Sequence, residues 1–80
     1  MVIKVKKEYK EKYKKLGLKI SYYRRLKNFT QETLAEALEI NATFLGQVEC
    51  GVKGISLDNL FKISEVLEIS TKKFFDFEDD

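Results

Sequence analysis

Eighty residues with 15 Lys/Arg against 13 Asp/Glu, 44% of them apolar and spread along the chain, describe one small folded domain rather than a disordered tail. The chain has no histidine and one cysteine, which excludes a disulfide framework, a soft zinc site and the commonest general base. Its glycines form no phosphate-cradling loop and its acids no dense calcium loop, so nothing points to a catalyst, a metal, a cofactor or a small-molecule ligand.

The net charge of +2 hides an asymmetry: residues 1–30 hold eleven Lys/Arg and two Glu, giving +9, and residues 31–80 hold four Lys and eleven acids, giving −7. Such a split suits an anionic partner at one end, or a merely solvated lysine face. No apolar run of about 18 residues is present. Residues 1–20 alternate lysine with apolar positions instead of forming a signal-peptide core. The expectation is a cytoplasmic protein that does not enter a membrane.

In chain order, Met1–Val5 reads as a brief extended start. Tyr9, Tyr13, Leu16, Ile20 and Tyr23 recur at steps of three and four, one stripe of a first helix. That helix begins near Glu8, or only near Leu16 behind a looser basic arm, and stops near Lys27–Asn28. Gly17 lies inside the stripe and weakens it. Thr30 is placed to cap a second helix with Leu34, Ala35 and Leu38 inward, and Glu32 suits its first turn. Asn41 is placed to cap a third, with Leu45 and Val48 inward and Gly51 in the left-handed position past its end. Phe44 lies between the faces, and packing under the second helix is the preferred reading. Ser56 caps a fourth helix carrying Leu57, Leu60, Ile63 and Leu67, and Ser70 a short fifth carrying Phe74 and Phe75. ALEIN (37–41) and VLEIS (66–70) read as one helix-end-to-cap solution used twice.

Two adjacent short helices joined by a tight turn cannot lie side by side as a long hairpin; they must cross steeply, as in a helix-turn-helix. TQETLAEALEINATFLGQVECG followed by ISLDNLFKISEVLEISTKKFF resembles the helix-turn-helix family of phage repressor and Cro proteins, the XRE family. Gln31, Leu34–Ala35, Leu45, Val48, Glu49, Gly51, Leu60, Ile63, Leu67 and Ser70 fall in the family's register. The resemblance spans roughly residues 16–75 and implies an all-α, compact five-helix lambda-repressor-like DNA-binding domain. Residues 1–15 are then a basic arm or first-helix extension, and residues 76–80 an acidic, frayed tail. Glu39 and Glu68 stand where the family usually has glycine, so those turns must close differently or tolerate strain.

With Leu45 and Val48 inward, Ala42, Thr43, Gly46 and Gln47 face outward on the third helix, matching family positions that face bases. Gln47 suits a bidentate pair with adenine, and Thr43 a base edge or a thymine methyl. Ala42 and Gly46 are small enough to let the backbone sit deep. By resemblance, Gln31 meets a backbone phosphate. Lys53, Ser56 and Asn59 are the flanking phosphate contacts expected on the far side. Most lysines of the Lys4–Lys15 arm are expected only to raise the local potential. The resemblance also implies an Arg24–Glu49 ion pair holding the third helix to the scaffold. Cys50, without a histidine, reads as a bystander thiol more readily than a redox sensor.

The function this implies is a sequence-specific regulator, a repressor, acting as a homodimer on near-palindromic double-stranded DNA. Phe74, Phe75 and Phe77 are the candidates for pairing unless the core needs them. A free-standing domain of this size fits a small phage-type repressor, a mobile-element regulator or an antitoxin-like autorepressor. Two alternatives compete: a protein-interaction adaptor with the same fold that does not bind DNA, and a peripheral membrane binder using the basic first helix.

Overall fold

Thr30, Asn41 and Ser56 each turn a side-chain oxygen onto free backbone N–H groups, and each thereby starts a helix. Thr30 does so reciprocally with Thr33: the Thr30 hydroxyl accepts from the Thr33 N–H at 3.0 Å while Thr33 Oγ1 accepts from the Thr30 N–H at 2.9 Å. The computed structural model describes residues 4–77, so part of the expected extended start and of the acidic tail lies outside the described residues. A 3-10 turn, Lys7–Tyr9, leads into α1, Lys10–Leu26; α2 is Gln31–Leu38, α3 Ala42–Glu49 and α4 Leu57–Leu67; a second 3-10 turn, Thr71–Phe75, follows. Among the described residues there is no strand, and no helix is long and apolar enough to cross a membrane.

The expected fifth helix is therefore corrected to this closing turn. The segment is too short to propagate an α-helix. The Lys73 N–H closes it on the Ser70 carbonyl at 3.0 Å, and the Ser70 side chain makes no capping bond. Its purpose is to deliver Phe74, fully buried, edge-on to Tyr23 with ring centroids 5.9 Å apart. Phe74 is thus core and leaves the set of pairing candidates. The turn is pinned by Thr71, whose hydroxyl meets that of buried Ser64 at 2.8 Å.

The core joins Leu16 and Ile20 of α1, Leu34, Ala35 and Leu38 of α2, Leu45 and Val48 of α3, and Leu60, Ile63 and Leu67 of α4. Of the expected stripes, Tyr13 and Tyr23 are only half-buried, and Leu57 and Tyr9 are exposed. Leu57 is 61% exposed because, as the first residue of α4, it sits at the margin of the Leu60–Ile63–Leu67 stripe. Tyr9 is 47% exposed because it belongs to the 3-10 turn, where α-helical spacing no longer holds. Phe44 is half-buried and packs on the core.

All four helices end with the same pair of backbone bonds, which satisfies carbonyls that would otherwise be orphaned. After α3 these are Gly51 N–H to the Val48 carbonyl and Val52 N–H to the Gln47 carbonyl, both 3.0 Å. The residue that makes the left-handed bend is Asn28 (φ 66°), Glu39 (φ 58°), Gly51 (φ 81°) and Glu68 (φ 57°) in turn. Glu39 and Glu68 therefore do tolerate the strain that glycine would relieve, and ALEIN and VLEIS close alike.

Gly17 has a role that its interruption of the stripe concealed. A Cβ there would lie 2.4 Å from the Glu49 carbonyl oxygen and 2.5 Å from that of Val48. Here α1 crosses the end of α3 at backbone contact, and no flexible side chain is available to give way. Gly17→Ala is therefore expected to destabilise the chain by roughly 2 kcal/mol or more in urea unfolding, although helix propensity alone would stabilise it by about 1 kcal/mol. Glu39→Gly should raise stability by up to about 1 kcal/mol in the same assay, the strain relieved less the added freedom of the unfolded chain.

Candidate nucleic-acid interface

The end of α3 is held by a buried polar network. Glu49 is 7% exposed and Arg24 8%. Arg24 Nε donates to Glu49 Oε2 at 2.7 Å and Nη2 donates to Oε1 at 3.2 Å, a two-pronged ion pair between α1 and α3. Arg24 Nη1 donates to the Phe29 carbonyl at 2.8 Å, tying in the turn before α2. Gln31 Nε2, from the first residue of α2, donates to Glu49 Oε1 at 3.0 Å. One carboxylate thus gathers α1, α2 and α3. Among the described residues, no buried side-chain nitrogen or oxygen lacks a partner, so the ion pair meets the condition under which burying charge is tolerable.

The network leaves α3 without an uncompensated charge: Glu49 is its only ionisable residue apart from Cys50 just beyond it. Thr43 is exposed, and Gly46 and Gln47 are half-exposed, on the side away from Leu45 and Val48. Ala42 is partly buried, as Gly46 and Gln47 are, and it also packs against the core edge. The outward surface of α3 is therefore carried by Thr43 and Gln47, with Gly46 and Ala42 beside them.

Gln31 lies over Gly46, its amide atoms 3.5 Å from where an added Cβ would stand. That is ordinary contact, so Gly46 is not required by packing inside the molecule. The Gln31–Glu49 bond was not foreseen. Its signal was the small residue at 46, which leaves room for the amide to cross α3 to Glu49. Ser56 is half-buried and its hydroxyl accepts from the Asn59 N–H at 3.1 Å. Ser56 and Asn59 thus meet at the start of α4, and Lys53, half-exposed, stands in the loop before them. Cys50 is a free, exposed thiol at the end of α3.

This arrangement has counterparts. A family model described as helix-turn-helix (HTH_3) matches residues 20–74. The control protein C.BamHI of Bacillus amyloliquefaciens is 38% identical over 50 residues, which cover 62% of this chain and 62% of that protein's length. The restriction-modification controller protein C.AhdI from Aeromonas hydrophila superposes with a TM-score of 0.77 at 31% identity, over 81% of this chain and 98% of that one. SinR, a master regulator for biofilm formation solved in complex with DNA, superposes with a TM-score of 0.70 at 29% identity, over 76% of this chain and 98% of that one.

Replacing Glu49 alone strands a buried guanidinium. Glu49→Gln should cost roughly 3–5 kcal/mol, read as a lower urea midpoint with an unchanged slope.

Proposed function

This chain belongs to the helix-turn-helix (XRE-type) family of DNA-binding transcriptional regulators, and we propose that it acts as a sequence-specific repressor whose α3 enters the major groove. The observation that carries this is the neutral surface of Thr43 and Gln47, with Gly46 beside them under the Gln31 amide, on a helix whose only acid is consumed by Arg24 and Gln31. Such a helix needs no charge of its own, since phosphate contacts supply most of the affinity and base-edge contacts the discrimination. Gln47 reads adenine through its amide, and Thr43 reads a base edge or a thymine methyl. Ala42 borders the same groove.

Phosphates are gripped from both flanks. The Gln31 amide has two N–H groups; one is spent on Glu49 and the second is left for a phosphate beside the start of α2. Lys53, Ser56 and Asn59 serve the opposite strand together with the backbone N–H groups at the start of α4. SinR, whose solved structure contains DNA, supports the same use of this fold.

The active form is a homodimer on a near-palindromic site, since one domain makes too few contacts for high selectivity. The pairing face is Leu57, Phe61 and Phe75, large apolar side chains that are each at least 49% exposed. Leu57 and Phe75 line one apolar groove, and Phe61 is one turn beyond Leu57 on α4. A twofold interface of this kind is self-complementary, so a single charge introduced on it repels its own copy.

Selection of bound sites from random duplexes should return a near-palindromic sequence. Gln47→Ala should change the preferred bases at one position of each half-site, while Lys53→Ala weakens all duplexes alike. Unchanged preference for Gln47→Ala would remove it as a reading residue. In sedimentation, Phe61→Glu should shift the chain to monomer and weaken binding to the two-half-site duplex far more than to a single half-site.

A further inference from the structure

Lys7, Lys10, Lys14, Leu18, Ser21 and Arg25 follow one another at steps of three and four, and so share one face of the first 3-10 turn and α1. All but Ser21 are exposed. This face lies beside the start of α2 and the end of α3 along its length. Near its C-terminal end, Arg25 shares a surface depression with Thr30 and Gln31 at the start of α2. Midway, Lys14, Leu18 and Ser21 line a second depression together with Gln31 and Cys50. At the N-terminal end, Lys7 and Lys10 line a third with Gly51 and Val52.

The approach is close. A Cβ on Gly51 would lie 2.8 Å from Lys14 Cα, so the lysine-bearing part of α1 is seated directly against the end of α3. The cations are only lightly engaged within the chain. Lys14 stands 4.0 Å from Glu11 in an exposed pair of little worth. Arg25 Nε donates to the Ser21 carbonyl at 3.3 Å, also exposed.

The geometry points to a second phosphate-binding surface: Lys7, Lys10, Lys14 and Arg25 form a ridge that follows the backbone of one DNA strand past the half-site read by α3. The inference rests on the DNA-binding reading given above. A helical face of this span is about 27 Å long. Phosphates on one strand advance about 3.4 Å along the duplex axis, so several successive phosphates come within its reach. Lysine, a point charge on a flexible stem, suits backbone contact better than base discrimination.

The competing explanation is that these lysines only raise the potential around the chain. Salt dependence separates contact from field when the same charge is removed elsewhere. On the full chain, Lys7→Gln/Lys10→Gln/Lys14→Gln should lower the slope of log affinity against log salt by about 2–3, near 0.9 per lost phosphate contact. Affinity at about 150 mM salt should fall at least tenfold, with base preference and thermal midpoint little changed. Lys62→Gln/Lys72→Gln/Lys73→Gln removes equal charge from α4 and the closing turn and should lower the slope by less than about 1. If the lysine triple does not fold, Lys10→Gln alone should still lower the slope by about 0.9. An unmoved slope, or equal loss in both triples, overturns the ridge while leaving the regulator reading in place. If the unaltered chain binds no selected duplex, the regulator reading falls and the ridge with it.

Discussion

The contact between the Arg24 guanidinium and the Glu49 carboxylate fixes how the other parts of this molecule meet. An acid at the end of α3 would oppose any approach to a polyanion, and a buried charge without a partner would oppose folding. Both problems are met by the same three donors, two from Arg24 and one from Gln31. The guanidinium then spends a further N–H on the Phe29 carbonyl, so the turn that orients α2 is set by the residue that anchors α3. The angle between the two helices thus follows from hydrogen bonding as well as from the apolar core beneath them.

Backbone contact at Gly17 reinforces that geometry. With no side chain at the crossing, α1 lies against the Val48 and Glu49 carbonyls, which brings Arg24, two turns further on, beside Glu49. At Gly51 the chain leaves α3 in a left-handed bend packed on Lys14. Two glycines, one chosen for proximity and one for conformation as well, seat α3 on a long basic helix. Elsewhere the same bend is made by Asn28, Glu39 and Glu68, exposed positions where the chain accepts strain of about 1 kcal/mol.

Much of this was legible in the residues. Caps at Thr30, Asn41 and Ser56 could be read because Ser, Thr and Asn before an apolar period have few other uses. The inward pairs Leu34–Leu38, Leu45–Val48 and Leu60–Ile63–Leu67 followed from helical spacing. Tertiary context decided the rest. The segment after Ser70 looked like a helix because cap and apolar residues were present, but its length and its bond to Ser64 through Thr71 made it a 3-10 turn. Leu57 and Tyr9 lay at the edges of their stripes, where spacing alone does not separate core from surface. Gly17 looked like a blemish, since a sequence does not display which backbone crosses it. Gln31 was assigned to phosphate by resemblance, and its hydrogen bond to Glu49 depends on how α2 crosses α3, which helical spacing does not display.

Recognition in this account is divided. Glu49 is neutralised from behind, and in the proposed function Thr43 and Gln47 then meet bases without charge while cationic and amide groups on α1, α2 and the α3–α4 loop hold phosphates. A double-mutant cycle on Arg24→Met and Glu49→Leu, measured in urea unfolding, tests the anchor most directly. A coupling of at least about 2 kcal/mol between the two positions is expected, with the double variant more stable than either single one. Additivity within about 0.5 kcal/mol would contradict it, because α3 would then be held by its apolar side alone.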